Sequence, residues 1–391
     1  MQELDAYDRL HSMLGDVTDP RKARGKRHEL SDVLFIILVG VLSGAEDADA
    51  IEDFAEHQEE WFRQRCSMQH GVPSQDTYLR VLAMLDPSMF GKLFQSWVQA
   101  VWGPAQSHVA IDGKSLRRSF NRATGVSPVH SVAAFASELG LVLGQVAVKE
   151  KENEIIAIPR LLSLIDLNGA TVTIDAMGCQ TAIASAIVEA GADYILQVKN
   201  NQPTLRSQIE GFFDNVEKSK RPLDDRQPEV IEATETDGGH GRVEERRCRI
   251  SKNLSWIDRK DSWTGLSAIA EVSRRRENIS TGQSSYEKSY FILSKADATA
   301  ADVNALIRSH WAIENSLHWV LDVTFNEDCS RIRVGNAAEN LGIIRRTALN
   351  LLRNAPNPGR KRQRVGIARR RRYCMMSPAY RDAVLRLTKQ G

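Results

Sequence analysis

Three acidic residues, Asp112, Asp175 and Glu314, stand where carboxylates can do chemistry. Asp112 closes the β-rich run His108–Ile111 and Asp175 closes Thr171–Ile174, each followed by a small residue, Gly113 or Ala176. In open α/β sheets the carboxyl ends of strands are where ligands bind. If the two strands are neighbours, about 4.8 Å apart, their carboxylates converge on a shared cation. Taken singly, either Asp could simply start a turn, as Asp often does. Glu314 lies on a helical run whose Trp311, Asn315, His318 and Asp322 share with it an arc of about 100°. Neighbouring Ile313, Leu317 and Leu321 want burial, so Glu314 sits at the edge of a buried face. Asp322 is eight residues further on, about 12 Å along a helix and about 80° around it, too far to join one metal centre with Glu314. As an acid in a last helical turn it should have a specific partner, such as a nearby Arg.

Clustered carboxylates resist joint ionisation and need a compensating cation. Oxygen ligands without Cys favour Mg2+ or Mn2+. Two such ions about 4 Å apart can activate an attacking oxygen and stabilise a leaving one at a phosphodiester.

The elements that must position these acids follow from periodicity. Residues 1–105 read as all-helical, with apolar clusters at helical spacing over Leu30–Leu42, Ala48–Arg65, Ser74–Leu85 and Pro87–Val101. The short helices around Gly71 have helix-turn-helix order, with Ser74–Leu85 second, although plain packing is the commoner use of such pairs. From residue 106 to 200 strands and helices alternate: Ser131–Ser137 and Leu141–Val148 form a hairpin around Glu138–Gly140, Ile155–Leu167 and Gln180–Ala190 are helices, and Tyr194–Val198 is a strand. Residues 201–290 read as a β-rich insertion, with a long hairpin around Asp237–Gly241 and strands at Ser267–Ser273 and Tyr286–Leu293. A capping box, Thr299 with Asp302, opens one long helix to about Val323. A second helix covers Asn336–Arg353 and a basic tail fills 354–391.

The 391 residues are enough for two or three domains. The apolar run Val33–Ala45 spans 13 residues, short of the roughly 20 a bilayer crossing needs, so no membrane association is expected. The start lacks a basic region ahead of an apolar stretch, so no export signal is expected. Five cysteines without CxxC spacing argue for a reducing cytoplasm and against structural zinc. Net charge is +2, yet Arg345 to Arg372 holds eleven Arg or Lys and no acid, which leaves −9 for the rest. Such asymmetry points to nucleic-acid contact by Arg345, Arg346, Arg360, Lys361 and Arg362. Beside the first acid, Lys114 and Arg117 could contact phosphate. So could His240 and Arg242 at the glycine-rich turn, where Gly permits close backbone approach. Gly113–Lys114–Ser115 does not complete an ATP-binding loop, because that motif needs Gly at position 108, which is His. Cys179 reads as packing, and Asn153–Glu154 as outer support for the acids.

Several blocks are long enough to be specific: Ala110–Lys114, Asn153–Ile155, Thr173–Gln180, Asp237–Glu244 and His310–Trp319, with Asp19–Lys22, His28–Leu30, Gly71–Thr77 and Asn350–Leu352. Through them the chain, from about residue 19 to 353, resembles the insertion-sequence transposases of the DDE class, specifically the H-repeat-associated group. The resemblance implies an α/β fold: an RNase H-like core over 106–200 and 291–353, with the helical N-terminal domain and the β-rich insertion attached. It places the catalytic, metal-holding acids at Asp112, Asp175 and Glu314. It implies cleavage of element ends, transfer of the freed 3′-hydroxyl to target DNA, and a homodimer on that DNA. The other readings are a silent DNA-binding relic and a metal-dependent nuclease without strand transfer. Related DDE enzymes carry a Tyr–Arg–Glu–Lys signature around the third acid; here the Tyr, Arg and Lys positions hold Ile307, His310 and Leu321.

Overall fold

The computed structural model describes residues 6–105, 107–120, 127–149, 152–218, 230–239, 241–358 and 365–386. Six helices come first: α1 (Ala6–Gly15), α2 (Leu30–Leu42), α3 (Ala48–His57), α4 (Glu59–Arg63), α5 (Gln75–Met84) and α6 (Pro87–Trp102). α2 is apolar on every side and buries eleven of its thirteen residues, as a helix enclosed by other elements must. It packs against α1, α3 and α5, and against the late helix α12 (Ala337–Asn354). Among the described residues no helix is long and apolar enough to cross a membrane.

One nine-stranded sheet follows, in the order β3-β2-β1-β4-β5-β9-β8-β7-β6. Its strands are β1 (His108–Ser115), β2 (His130–Ala136), β3 (Leu141–Val148), β4 (Thr171–Ile174), β5 (Asp193–Val198), β6 (Val230–Gly239), β7 (Arg242–Ser251), β8 (Ala268–Asn278) and β9 (Ser284–Leu293). β1, β4 and β5 are parallel neighbours, and β2 and β3 extend them as an antiparallel hairpin. The connecting helices α7 (Glu154–Leu162) and α8 (Thr181–Glu189) carry the crossovers.

The stretch expected as an insertion, 201–290, begins with α9 (Pro203–Lys218), and its strands do not form a separate sheet. β9 pairs antiparallel with β5, Ile195 to Val198 against Leu293 to Tyr290, so the same sheet simply continues. The pairing removes the open edge β5 would otherwise present. The inner ends of these strands are apolar and lie under α10 (Ala300–His310) through Ala300, Val303 and Ile307. Their outer ends carry cross-strand ion pairs such as Glu232–Arg247 and Arg274–Glu287. The hairpin tip is tighter than the sequence implied. β6 and β7 stay paired to Gly239 and Arg242, and Gly241 takes a positive φ of 75°, which Gly adopts without steric cost.

The long helix expected over 299–323 is interrupted. The capping box at Thr299 and Asp302 opens α10, a π turn occupies Ile313–His318, and α11 (Trp319–Thr324) resumes. The expected basic tail is also folded, into α13 (Ile367–Met376) and α14 (Pro378–Arg386). Leu385 and Cys374 join the same buried cluster as Leu10, Val33, Ile111 and Leu349, so the helical N-terminus, the sheet and the C-terminus share one core.

Candidate metal centre

The parallel register sets Ile111 beside Ile174, so Asp112 and Asp175 both follow the last paired residues of adjacent strands; β4 ends there, but β1, expected to close at Asp112, runs on to Ser115 because it stays paired with β2. Asp112 Oδ1 accepts the Gly113 N–H at 2.8 Å. Asp175 Oδ1 accepts the Met177 N–H at 3.0 Å and caps a short 3-10 turn, Ala176–Gly178. Asp175 thus starts a turn and also faces the site.

The third acid arrives from above the sheet. α10 is fastened at its end by His310, whose Nδ1 lies 2.9 Å from Thr173 Oγ1 on β4. The same hydroxyl is 2.7 Å from His108 Nε2 on β1. Burial drives both imidazoles down to about 4, so the triad is held by neutral hydrogen bonds. The π turn then buries Ile313, Leu317 and His318 and leaves the Glu314 side chain 53% exposed. π turns loosen the regular carbonyl pairing and recur at functional sites. Here Arg353 donates to the Ser316 carbonyl inside the turn and to Gly140 O at 2.6 Å.

Asp112, Glu314 and His318 offer ligand atoms all within 4.8 Å of one another. His318 Nδ1 is 3.5 Å from Glu314 Oε2 and 3.7 Å from Asp112 Oδ2. Burial, followed by Arg346 and Lys114, lowers the His318 pKa to about 3. Asp112 is pushed up to about 7, first by burial, against the Gly113 N–H, and further by Glu314, Asp175 and Glu154. Asp175 is raised by burial and then by Glu154, with Lys199 opposing. Asp175 stands outside the three-residue group and is coupled instead to Glu154 and Asp112. Asp112 thus has three other acids around it, and its donor set with Glu314 and the His318 imidazole fits a divalent cation.

Glu154 was expected only as outer support; its carboxylate lies against the backbone of Gly113. A Cβ added there would stand 2.1 Å from Glu154 Oε1, so any larger residue would have to push this carboxylate aside. Glu154 Oε1 is 2.6 Å from His130 Nε2, and His130 Nδ1 is 2.7 Å from Ser115 Oγ. Nothing in the sequence pattern singled out His130. His318 was visible on the polar stripe, four residues after Glu314, but was not assigned to the site. A cavity of about 470 Å³ lies elsewhere, between Glu46–Asp49 and residues 326–337.

Residues 103–351 match the family model described as "Transposase DDE domain", and residues 11–98 match its companion, "DDE_Tnp_1-associated". The chain belongs to the DDE transposase family. It is 39% identical over 373 residues to "Putative transposase YncI" of Escherichia coli O157:H7, covering 94% of this chain and 92% of that protein. It is 36% identical over 374 residues to "H repeat-associated putative transposase YhhI" of Escherichia coli strain K12, covering 94% and 95%. Among solved structures it is similar to the piggyBac transposase in a synaptic complex with hairpin DNA, at a TM-score of 0.50 and 12% identity, over 97% of this chain and 80% of that one. That likeness supports a mixed α/β, RNase H-like DDE fold.

Several cations expected on the DNA-facing surface of this family member are placed otherwise. Lys114 is buried, and its Nζ donates to both Asp322 oxygens at 2.6 and 2.7 Å. Asp322 therefore has the specific partner expected of it, a Lys from β1 rather than an Arg. Arg345 and Arg346 are 2% and 1% exposed. Arg346 pairs with buried Glu327 at 2.9 Å, and Arg345 reaches the Glu46 carbonyl at 3.4 Å. Neither can present its guanidinium to a phosphate, because each lies on the inward face of α12. Arg117 is 83% exposed with Asp328 at 3.3 Å, and Arg242 is exposed at the hairpin tip. His240, Arg360, Lys361 and Arg362 lie outside the described residues. At the signature positions, Ile307 and Leu321 are buried apolar groups and His310 is the anchor to Thr173.

Proposed function

We propose that this DDE family member cleaves the ends of an insertion element and joins the freed 3′-hydroxyl to target DNA, through Mg2+ or Mn2+ held by Asp112, Asp175 and Glu314. The observation that supports it is that Asp112 and Asp175 follow the last paired residues of adjacent parallel strands and that Glu314, on the π turn, brings a carboxylate oxygen within 4.8 Å of one on Asp112. A bound divalent ion would supply charge to the attacking and leaving oxygens of the phosphodiester. The residues contribute position. Asp112 is held by the Gly113 N–H and Asp175 by its turn, so neither carboxylate must reorganise when substrate arrives. Glu314 is the exposed acid of the group and the one a DNA strand would reach first. Of the cations expected at DNA, Arg117 and Arg242 are exposed among the described residues and are available to its phosphates. Joining both ends of an element calls for at least two active sites, and hence a homodimer on DNA.

The test is to incubate the purified protein with DNA carrying the element's own ends, with Mn2+, with Mg2+, and with excess EDTA. Nicking and strand-transfer products that require either ion and vanish with Glu314→Gln are expected. Full activity in EDTA would overturn the reading. Nicking without joined products would reduce it to a nuclease.

A further inference from the structure

The three-acid reading leaves one group at the centre unemployed. His318 is 5% exposed. Its Nδ1 points between Asp112 and Glu314 at 3.7 and 3.5 Å and makes no hydrogen bond among the described residues. Its Nε2 is buried without a partner. A buried imidazole nitrogen without a partner is costly, and polar groups are seldom left so. Only Nδ1 faces groups that could offset the cost. Separations of 3.5 and 3.7 Å are long for hydrogen bonds but suit atoms sharing an ion. With bonds of about 2.1 Å in octahedral geometry, adjacent ligands stand about 3.0 Å apart and opposite ones about 4.2 Å apart.

We propose that His318 is a direct ligand of the divalent metal held by Asp112 and Glu314, which makes the centre a mixed oxygen–nitrogen site. This rests on the metal-centre reading above and adds a fourth residue to it. Glu314 and His318 come from the same π turn, four residues apart, so the turn aims both donors at Asp112. The remaining described histidines near the acids are committed elsewhere: His130 to Ser115 and Glu154, and His310 to Thr173. Imidazole is a poor partner for Mg2+ compared with transition ions. The site should therefore favour Mn2+, and His318 should account for much of that preference.

The test uses the full-length protein without DNA, titrated with Mn2+ and followed by electron paramagnetic resonance. Pulsed measurements on the bound ion should show coupling to a directly bonded 14N, and labelling the protein with 15N-histidine should convert it to 15N coupling. His318→Gln should lose the coupling and bind Mn2+ about tenfold or more weakly, with Mg2+ affinity less affected. Circular dichroism checks its fold, and the isotope experiment needs no variant. Bound Mn2+ without nitrogen coupling in the unaltered protein would overturn the ligand role and leave His318 as a hydrogen-bonding neighbour. Absence of Mn2+ binding, or full affinity in Glu314→Gln, would instead overturn the metal-centre reading beneath it.

Discussion

The acid cluster and the arginine-rich C-terminal segment each concentrate one sign of charge, and they treat it in opposite ways. At the acids, burial and mutual repulsion raise Asp112 to about 7 and raise Asp175 as well, with Glu154 and Glu314 pressing from two sides. In the C-terminal segment the buried guanidiniums meet acceptors. Arg371 donates to Val41 O at the end of α2 and to Thr324 O at the end of α11. Arg370 donates to Leu352 O and Ala355 O past α12, and Arg381 to Cys374 O in α13. The last carbonyls of a helix lack intrahelical donors and carry partial negative charge, which an Arg satisfies. Charge density alone therefore did not identify a binding surface. What separates the two regions is what each charge meets: the buried arginines donate to carbonyls, whereas Asp112 meets other acids.

The sharpest test of that contrast is substitution on each side. Glu314→Gln or Asp112→Asn should cut DNA cleavage on the order of a hundredfold or more, as loss of a charge-stabilising group does. Neither should lower the melting temperature of the metal-free protein, since each removes a repelling charge. A variant that still cleaves at the parental rate would remove its residue from the chemistry. Arg346→Met should behave oppositely. It strands Glu327 in the core, and breaking such a buried pair costs about 3–5 kcal/mol, read as a fall in the urea midpoint. If stability held and the salt dependence of DNA binding flattened instead, Arg346 would be a phosphate contact after all.

The pH dependence of the metal-free protein probes the acid side directly. The folded-state pKa of Asp112 is raised from 3.8 to about 7, so the folded form holds its proton more tightly than the unfolded chain. Its contribution to stability is present below about pH 4 and is lost as pH rises to about 7. Thermal melts should fall across that window and flatten in Asp112→Asn or on adding Mn2+. An identical slope in Asp112→Asn would assign it to other groups. Smaller effects should follow at the margins. Asp322→Asn, which weakens the contact between buried Lys114 and the partly exposed Asp322, should cost about 1–2 kcal/mol and reduce cleavage only in part. Complete loss of cleavage with an intact fold would bring Asp322 into the chemistry. Arg117→Ala should reduce the slope of log affinity against log salt by roughly 0.9 if it meets one phosphate. An unchanged slope would show that it does not.

The sequence by itself determined the local elements and their chemistry. α2, β3 and β4 begin and end where apolar pattern and β-branching placed them, and the Thr299–Asp302 capping box opens its helix as read. Two acids after matching apolar runs were equally legible, because period and cap are written within a few residues, but that β1 runs past Asp112 to Ser115 depends on its partner β2. Only the tertiary structure decided the rest. Lys114 and Asp322 meet across 208 positions, and Arg371 reaches Val41 across 330. No local pattern distinguishes a basic residue that will cap a distant helix from one that will face DNA. The π turn at Ile313–His318 was hidden for a related reason. It takes in one residue more than an α turn and rotates every later side chain by about 100°. Its loosened backbone is fastened by contacts from outside the helix, Arg353 to Ser316 within the turn and His310 to Thr173 just before it, and those contacts exist only once the chain has folded.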